Sequence, residues 1–527
     1  MSNRSCQPAG QMPNTHPPVQ MTPEEMIAFG LTPEPVKAFI DRLLAENMEL
    51  KALVQKLLAR IEALENGNGR PPANSENSSV PPSKDPIAFE RGQDKKGKKG
   101  KKGKKTSQKR KGHNGGNQRR LLPDTEKRYP PERCPHCGGT HFVNLKDGTP
   151  TQQVELKEIP FDVTDHIPQS GTCSSCGHSV TGEIPEGSQY FYEPRFTAFI
   201  ASLVSHGVSR RVVEELLRDA GLFVTNHGEP IRISQGGIQR MLDRSSTALR
   251  EHYEALLGLA RISPVNNIDE TSWRQFGPLG RIPYLLWVMA SALVTVFMIH
   301  KERSRDAFLE LTGGWGGYLV SDDYAVYVSW PQAYRQTCLA HLIRAAKRLT
   351  EYANPDIAEC GRNLHAILCR LTKWQDTEPS EAERKRLQGR LYNILLENAE
   401  ASDDSGVLCR RLLRNWPCLF TFFASEHIPA TNNHAERQIR AAVVRRKISL
   451  GSTSEKGFRW MERHLSVLLT CRQNGWSFFE LLRDAIARSF TGQPQDLTKY
   501  DAIRQRYLQI REELKISDTM PLALATP

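Results

Sequence analysis

The chain has 527 residues, 11 cysteines and a formal charge of +12, a length that exceeds one hydrophobic core and implies roughly three or four units. The charge is concentrated: residues 95–120 hold 13 Lys/Arg and no acid, and removing those 13 leaves the rest of the chain at −1. With no signal peptide read and with cysteines grouped as CxxC pairs, a disulfide-stapled secreted protein is excluded in favour of a reducing, cytoplasmic compartment. A membrane span is excluded too. An apolar run without charge, Tyr284 to Ile299, falls short of the ~20 residues needed and is expected to form two buried strands turning near Ser291.

In chain order, residues 1–31 are Pro-rich and polar and carry no expected structure. Residues 32–66 show a heptad with Leu43, Leu50, Leu57 and Leu64 at d and Ile40, Asn47, Val54 and Ile61 at a. A single Asn at a pairs best with its own copy, so Asn47 predicts a parallel, in-register homodimer. Glu46 facing Lys51, and Arg60 facing Glu65, agree with that register. An amphipathic helix packed on its own domain is the alternative, because Leu44, Leu53 and Leu58 broaden the stripe. Residues 67–125 read as a disordered basic linker, either a counterion-releasing attachment to DNA phosphates or a solvated spacer.

Over 126–186, Cys134-Pro-His-Cys137-Gly and Cys173-Ser-Ser-Cys176-Gly have the spacing that turns two thiolates toward one tetrahedral ion. They predict one structural zinc in a closed four-cysteine ribbon without chemistry of its own. Residues 187–262 have helical periodicity, with Ser209 and Ser234 as N-caps, and form a candidate helix-turn-helix with Gln235, Gln239 and Arg240 exposed. A plain helical connector is the alternative.

The region 263–490 carries the chemistry. A strand ends in Asp269, two apolar strands follow, then a helix from about Ser304 to Leu311 and a strand ending in Asp322. This is the order of an RNase H-like sheet, in which the first and fourth strands lie side by side. A helix opening near Asn433 would bring Glu436 beside both aspartates. Hard oxygen ligands of this kind suit a pair of Mg²⁺ ions, with Mn²⁺ as a substitute. Taken singly, each acid also reads as a surface residue at an element end. Helical periodicity over 339–349, 357–371, 381–399 and 407–413 predicts a helical insertion at about 340–425. His341 and Arg344 share a helix face and are candidates for phosphate contact. Arg437, Arg440, Arg445, Arg446 and Lys447 follow Glu436 as candidate DNA contacts. Residues 491–527 read as a C-terminal tail. The expected class is multidomain α+β: coiled coil, zinc ribbon, helical DNA-binding segment and RNase H-like core.

The segments NSSVPPSKD (77–85), the two CxxC pairs, PRFTAFIASLVSHGVSRRVVEELL (194–217), IDET (268–271), LVSDDYAVY (319–327), CLAHLIR (338–344) and NNHAER (432–437) resemble, in order, a DDE transposase of the insertion-sequence-66 family. The resemblance implies a bacterial enzyme acting on double-stranded DNA, both element ends and target. It would be associated with the nucleoid and work as a homodimer or higher multimer, with small companion proteins as further partners. It implies Asp269, Asp322 and Glu436 as metal ligands. Two departures stand out. Asp323 occupies a position usually held by Gly, and Ile448-Ser449-Leu450-Gly451-Ser452 replaces a longer apolar segment. A catalytically inactive, transposase-derived DNA-binding protein and a stand-alone nuclease are the alternatives.

Overall fold

The computed structural model describes helical residues within 42–54, parts of 126–145, and 159–516 apart from 177, 220–222, 278 and 279. Asn47, Leu50 and Val54 lie on the N-terminal helical stretch and are exposed. Leu43, Leu57, Ile61, Leu64 and the basic linker lie outside the described residues.

Short strand β1 (Ile159–Phe161) is followed by an exposed hairpin of β2 (Ser170–Thr172) and β3 (Ser179–Thr181). Helices α1 (Pro194–Ser205) and α2 (Arg210–Asp219) lead to β4 (Phe223–Thr225), α3 (Gln235–Ala248) and α4 (Arg250–Ile262). The expected caps are present: Val212 N–H donates to Ser209 Oγ at 3.2 Å and Gly237 N–H to Ser234 Oγ at 3.2 Å. The helix-turn-helix expectation is corrected, because a strand separates α2 from α3. That strand, β4, pairs in parallel with β1 across the expected boundary at residue 186. Nor is 187–262 a unit of its own. Ile238 and Met241 of α3 and Leu256 of α4 share one apolar core with the sheet described next.

The sheet contains β5 (Val265–Gly277), β6 (Gly280–Ala290), β7 (Thr295–His300), β8 (Tyr318–Ser321) and β9 (Arg335–Thr337), in the order β7-β6-β5-β8-β9. β5–β6 and β6–β7 are antiparallel, whereas β5–β8 and β8–β9 are parallel. The uncharged run is two strands, as expected, turned by Ser291, whose N–H and Oγ both donate to the Val294 carbonyl. Between β7 and β8 lies α5 (Arg305–Thr312), capped by Ser304. The four-residue α6 (Ala325–Val328) follows β8.

A helical insertion, α7 (Leu339–Leu349), α8 (Pro355–Lys373), α9 (Glu381–Asn398) and α10 (Asp404–Arg414), encloses a second core, which also takes in Val265 and Val320 of the sheet. Its ends are tied together, since Leu339 N–H donates to the Ala430 carbonyl at 3.0 Å and Asn432 N–H to Cys338 Sγ at 3.0 Å. The detour therefore leaves and rejoins the core at one point.

Four helices complete the core: α11 (Asn433–Ser449), α12 (Glu455–Asn474), α13 (Phe478–Phe490) and α14 (Asp501–Glu513). The last corrects the expected tail. Ile503, Tyr507 and Ile510 are buried, and the Tyr507 hydroxyl hydrogen-bonds Ser291. α12 covers the edge strand β7 in an unusual way. Glu462, Ser466 and Thr470, spaced four apart, accept from the N–H groups of Ile299 (2.7 Å), Phe297 (2.9 Å) and Thr295 (3.1 Å), spaced two apart. The match arises because four helical residues rise ~6 Å and two strand residues ~6.6 Å. A sheet edge that would otherwise template association is thereby closed.

Burial pushes the Glu462 carboxyl up to about 7, against the opposing pull of Arg459 and the Ile299 N–H. A raised folded-state value means that the group's contribution to stability is fully present below about 4.5 and is lost as pH rises through about 7. Glu462→Gln, which cannot titrate, should flatten the decline of unfolding free energy across that window. Denaturant titrations at pH 5 and pH 7.5 on both proteins check this.

Candidate active site

Asp269 lies just past the last β5 residue paired with β8, and Asp322 follows the last residue of β8. Asp269 thus sits within β5 where its parallel pairing with β8 ends, and Asp322 sits at the carboxyl end of β8, the side of a parallel pair on which open α/β sheets place their sites. Alternation along β5 puts Asn267, Asp269 and Thr271 on one face and Ile268 and Glu270 on the other. α11 runs along the first of these faces. At its start, Asn267 Nδ2 donates to Asn432 Oδ1 (3.0 Å), and Asn432 Nδ2 donates to the Ile268 carbonyl (2.9 Å). Further along, Arg446 Nη1 donates to Thr271 Oγ1 at 3.0 Å. Beyond the helix, Phe276 N–H donates to the Ser452 carbonyl at 2.8 Å and Ser452 N–H to the Arg274 carbonyl at 3.0 Å. From Asn267 to Phe276 the strand spans about 30 Å, and Asn432 to Ser452 covers a similar length at the helical rise. Gly451 makes the last turn at φ +146°, where a Cβ would stand 2.3 Å from the Arg274 carbonyl oxygen.

This seam brings Asp322 and Glu436 near enough to Asp269 to act on it electrostatically. The Asp269 carboxyl is held well above its ordinary range by burial first, then by the charges of Glu270 and Asp322, with Glu436 contributing. Its Oδ1 accepts the Glu270 N–H at 2.9 Å, and Asp322 Oδ1 accepts the Tyr324 N–H at 3.0 Å. Asp323 is engaged elsewhere. It accepts Thr337 Oγ1 at 3.0 Å and Arg411 Nε at 2.7 Å, with only 4% of its side chain exposed. Its carboxylate thus pins α10 of the insertion to the sheet. Glu270 is likewise occupied, by Arg303 and the Tyr327 hydroxyl.

Glu436 has two cationic or potentially cationic neighbours from α7. Arg344 Nη2 lies 3.1 Å and His341 Nε2 3.7 Å from its Oε1. Both residues, read from sequence as candidates for either phosphate contact or a structural role, touch the third carboxylate. Burial, then the charge of Arg344, lowers the His341 pKa and favours a neutral ring.

The cationic run after Glu436 divides. Arg437, Arg440 and Lys447 are exposed. Arg446 is half-buried on Thr271 and Ser272. Arg445 is corrected from a DNA contact to an internal tie: it is buried, donates to the Val204 carbonyl and lies 5.1 Å above the Trp460 ring. Burial lowers its pKa to about 10. The physical reason is helical period, since Ala435, Ile439, Ala442 and Arg445 share the inward face. A groove of about 670 Å³ between the end of α1, α11 and α12 is lined by His206, His434, Arg437, Arg440 and Arg472. Sequence reading missed Arg472.

Cys134 is hydrogen-bonded to Cys137, and Cys173 to Cys176, and backbone N–H groups lower the first thiol of each pair. Among the described residues, however, the four sulfurs do not gather within reach of one ion. The one group of three metal-ligating side chains that does gather is Cys338, His341 and Glu436.

Residues 222–459, a span holding all three acids and the seam, match the family model described as Transposase IS66 family. Over this segment, a little under half of its length, the chain is similar to that family. Residues 31–119 match the model of a family of unknown function (DUF6444). No curated protein matches the chain. Among the described residues, no helix is long and apolar enough to cross a membrane.

Asn432 is the positioning residue that sequence reading missed. Its signal was a polar NN pair inside an apolar strand, repeated as NN before the helix, but the pairing across 165 residues could not be read. Asn432→Ala removes the shorter of the two acceptors of Asn267 Nδ2, leaving only the Thr431 carbonyl at 3.3 Å, and takes the side-chain donor from the Ile268 carbonyl, so a loss of about 1–3 kcal/mol in unfolding free energy is expected by denaturant titration.

Proposed function

We propose that the chain is a DDE transposase that binds the ends of its own element as a multimer. It would cleave them to free a 3′-hydroxyl and join that end to target DNA in a Mg²⁺-dependent reaction. The observation that carries this reading is that Asp322, just after β8, and Glu436, in the first turn of α11, both act electrostatically on Asp269, which lies in β5 where its pairing with β8 ends. The sheet order, three antiparallel strands with two parallel strands added beside the first, supports an RNase H-like core.

The donor set fits hard divalent cations. All three ligands are carboxylates, and burial with mutual repulsion holds Asp269 toward its neutral form, a penalty that bound cations relieve. Two Mg²⁺ ions held by Asp269, Asp322 and Glu436 would supply activation of the attacking oxygen and stabilisation of the leaving oxygen. The chain's own part is orientation. The Asn267–Asn432 pair fixes where Glu436 stands, while Arg344 and His341 limit its rotation. The exposed Arg437, Arg440, Arg472 and Lys447 supply cations for backbone phosphates without reading sequence. The exposed apolar face at Leu50 and Val54, with Asn47 beside it, supports dimerisation through the N-terminal helix. Each CxxC pair keeps its two thiols hydrogen-bonded to one another, the local arrangement a structural zinc would use.

Asp269→Asn, Asp322→Asn and Glu436→Gln should each reduce end cleavage and strand joining by at least ~10²-fold, the scale for losing one stabiliser of transition-state charge. A folded variant with full activity would remove that residue from the mechanism. Asp323→Asn should keep the chemistry and lose about 1–3 kcal/mol of stability, because its Arg411 tie is partly exposed. Full binding without joining by the wild-type protein in Mg²⁺ or Mn²⁺ would instead indicate an inactive DNA-binding derivative. Alanine at Arg437, Arg440, Arg472 or Lys447 should lower the salt slope of DNA affinity by ~1 each, read by titration at several salt concentrations. Arg445→Ala should act through stability.

A further inference from the structure

The geometry points to a second metal site, for a thiophilic divalent ion such as Zn²⁺, built from Cys338 Sγ, the His341 ring and the Glu436 carboxylate. Their ligand atoms all lie within 4.8 Å of one another, and His341 Nε2 is 3.7 Å from Glu436 Oε1. Ligands 2.0–2.3 Å from a tetrahedral zinc stand about 3.3–3.8 Å apart, so separations need shorten by at most about 1.5 Å to close the set. Cys338 precedes α7 and His341 lies three residues on, so one helical turn presents sulfur and nitrogen together. Glu436 reaches them from the opening of α11. The two helix starts are already hydrogen-bonded, through Leu339 N–H to the Ala430 carbonyl and Asn432 N–H to Cys338 Sγ. The scaffold is therefore in place without an ion.

Two further observations point to a ligand. His341 Nδ1 is buried and has no hydrogen-bond partner, a cost that coordination of the ring or its reorientation would relieve. Cys338 is fully buried yet directed at two other ligating groups instead of the apolar core alone. Mg²⁺ does not choose thiol sulfur, whereas Zn²⁺ and Co²⁺ accept sulfur, imidazole and carboxylate together. Three protein ligands with a part-exposed carboxylate leave the fourth position to water. Arg344, 3.1 Å from Glu436 Oε1, must yield that oxygen or keep the other one as the ion enters.

The binding claim stands apart from the strand-transfer reading. Its consequence rests on that reading: an ion here takes Glu436 from the carboxylate set, so zinc competes with Mg²⁺ and inhibits. The test is zinc stoichiometry of the full-length protein, by equilibrium dialysis and elemental analysis, with Co²⁺ substitution reporting thiolate ligation in the absorption spectrum. Cys338→Ser and His341→Gln should each bind about one zinc fewer than wild type. Cys134→Ser leaves this site intact and serves as the comparison for the CxxC pairs. Thermal melts without metal confirm that the variants are folded, and the milder His341→Gln decides the matter if Cys338→Ser is not. Unchanged stoichiometry in folded His341→Gln, or a Co²⁺ spectrum unaltered by Cys338→Ser, would overturn the site. In joining assays, micromolar zinc should inhibit wild type and not Cys338→Ser. Absence of joining in every protein would count against the transposase chemistry while leaving the stoichiometry result to stand or fall alone.

Discussion

The hydrogen-bonded pair of Asn267 and Asn432 is the constraint on which the arrangement depends. One amide belongs to the central strand two residues before Asp269, the other to the cap of the helix that carries Glu436 four residues later. Both are buried, and burying two amides is tolerable because each satisfies the other and a neighbouring carbonyl. Helix α11 then has one register on β5. Arg446 and the Gly451–Ser452 turn hold the far end of the same seam.

The helical insertion is explained by the same junction. It leaves the sheet at Cys338 and returns at Ala430, two positions whose neighbours are hydrogen-bonded to each other. A long detour with closed ends adds little strain to the core it interrupts. Arg411 on Asp323 adds a second tie from inside the insertion. The aspartate next to the candidate ligand therefore has a structural task of its own, which explains why a carboxylate rather than a glycine can stand there without joining the acidic cluster.

What the sequence made legible was local. Strand and helix order, the caps at Ser209 and Ser234, and the four insertion helices follow from periodicity and capping chemistry acting within a few residues. The side-by-side placement of the first and fourth strands followed from their order alone. Contacts between remote segments were not legible: Asn267 with Asn432, Asp323 with Arg411, and the Glu462–Ser466–Thr470 ladder on β7. Two misreadings had local signals. Arg445 falls on the inward face with Ala442, but a run of basic residues looked uniformly exposed. Ile503, Tyr507 and Ile510 have helical spacing, yet a polar segment near the chain's end read as a tail. The CxxC spacing describes each pair well and says nothing about how the pairs approach.

A sheet edge sealed by a helix, an insertion clamped at its base and an asparagine pair between strand and helix all act to hold three mutually repelling carboxylates in one place. The most direct measurement of that claim is electron paramagnetic resonance of Mn²⁺ bound to the full-length protein on DNA carrying an element end. Two ions ~3.5–4 Å apart on a shared carboxylate set should give an exchange-coupled spectrum that Asp269→Asn or Glu436→Gln converts to that of isolated ions. Uncoupled Mn²⁺ in wild type, or a coupled pair that survives both substitutions, would contradict the account.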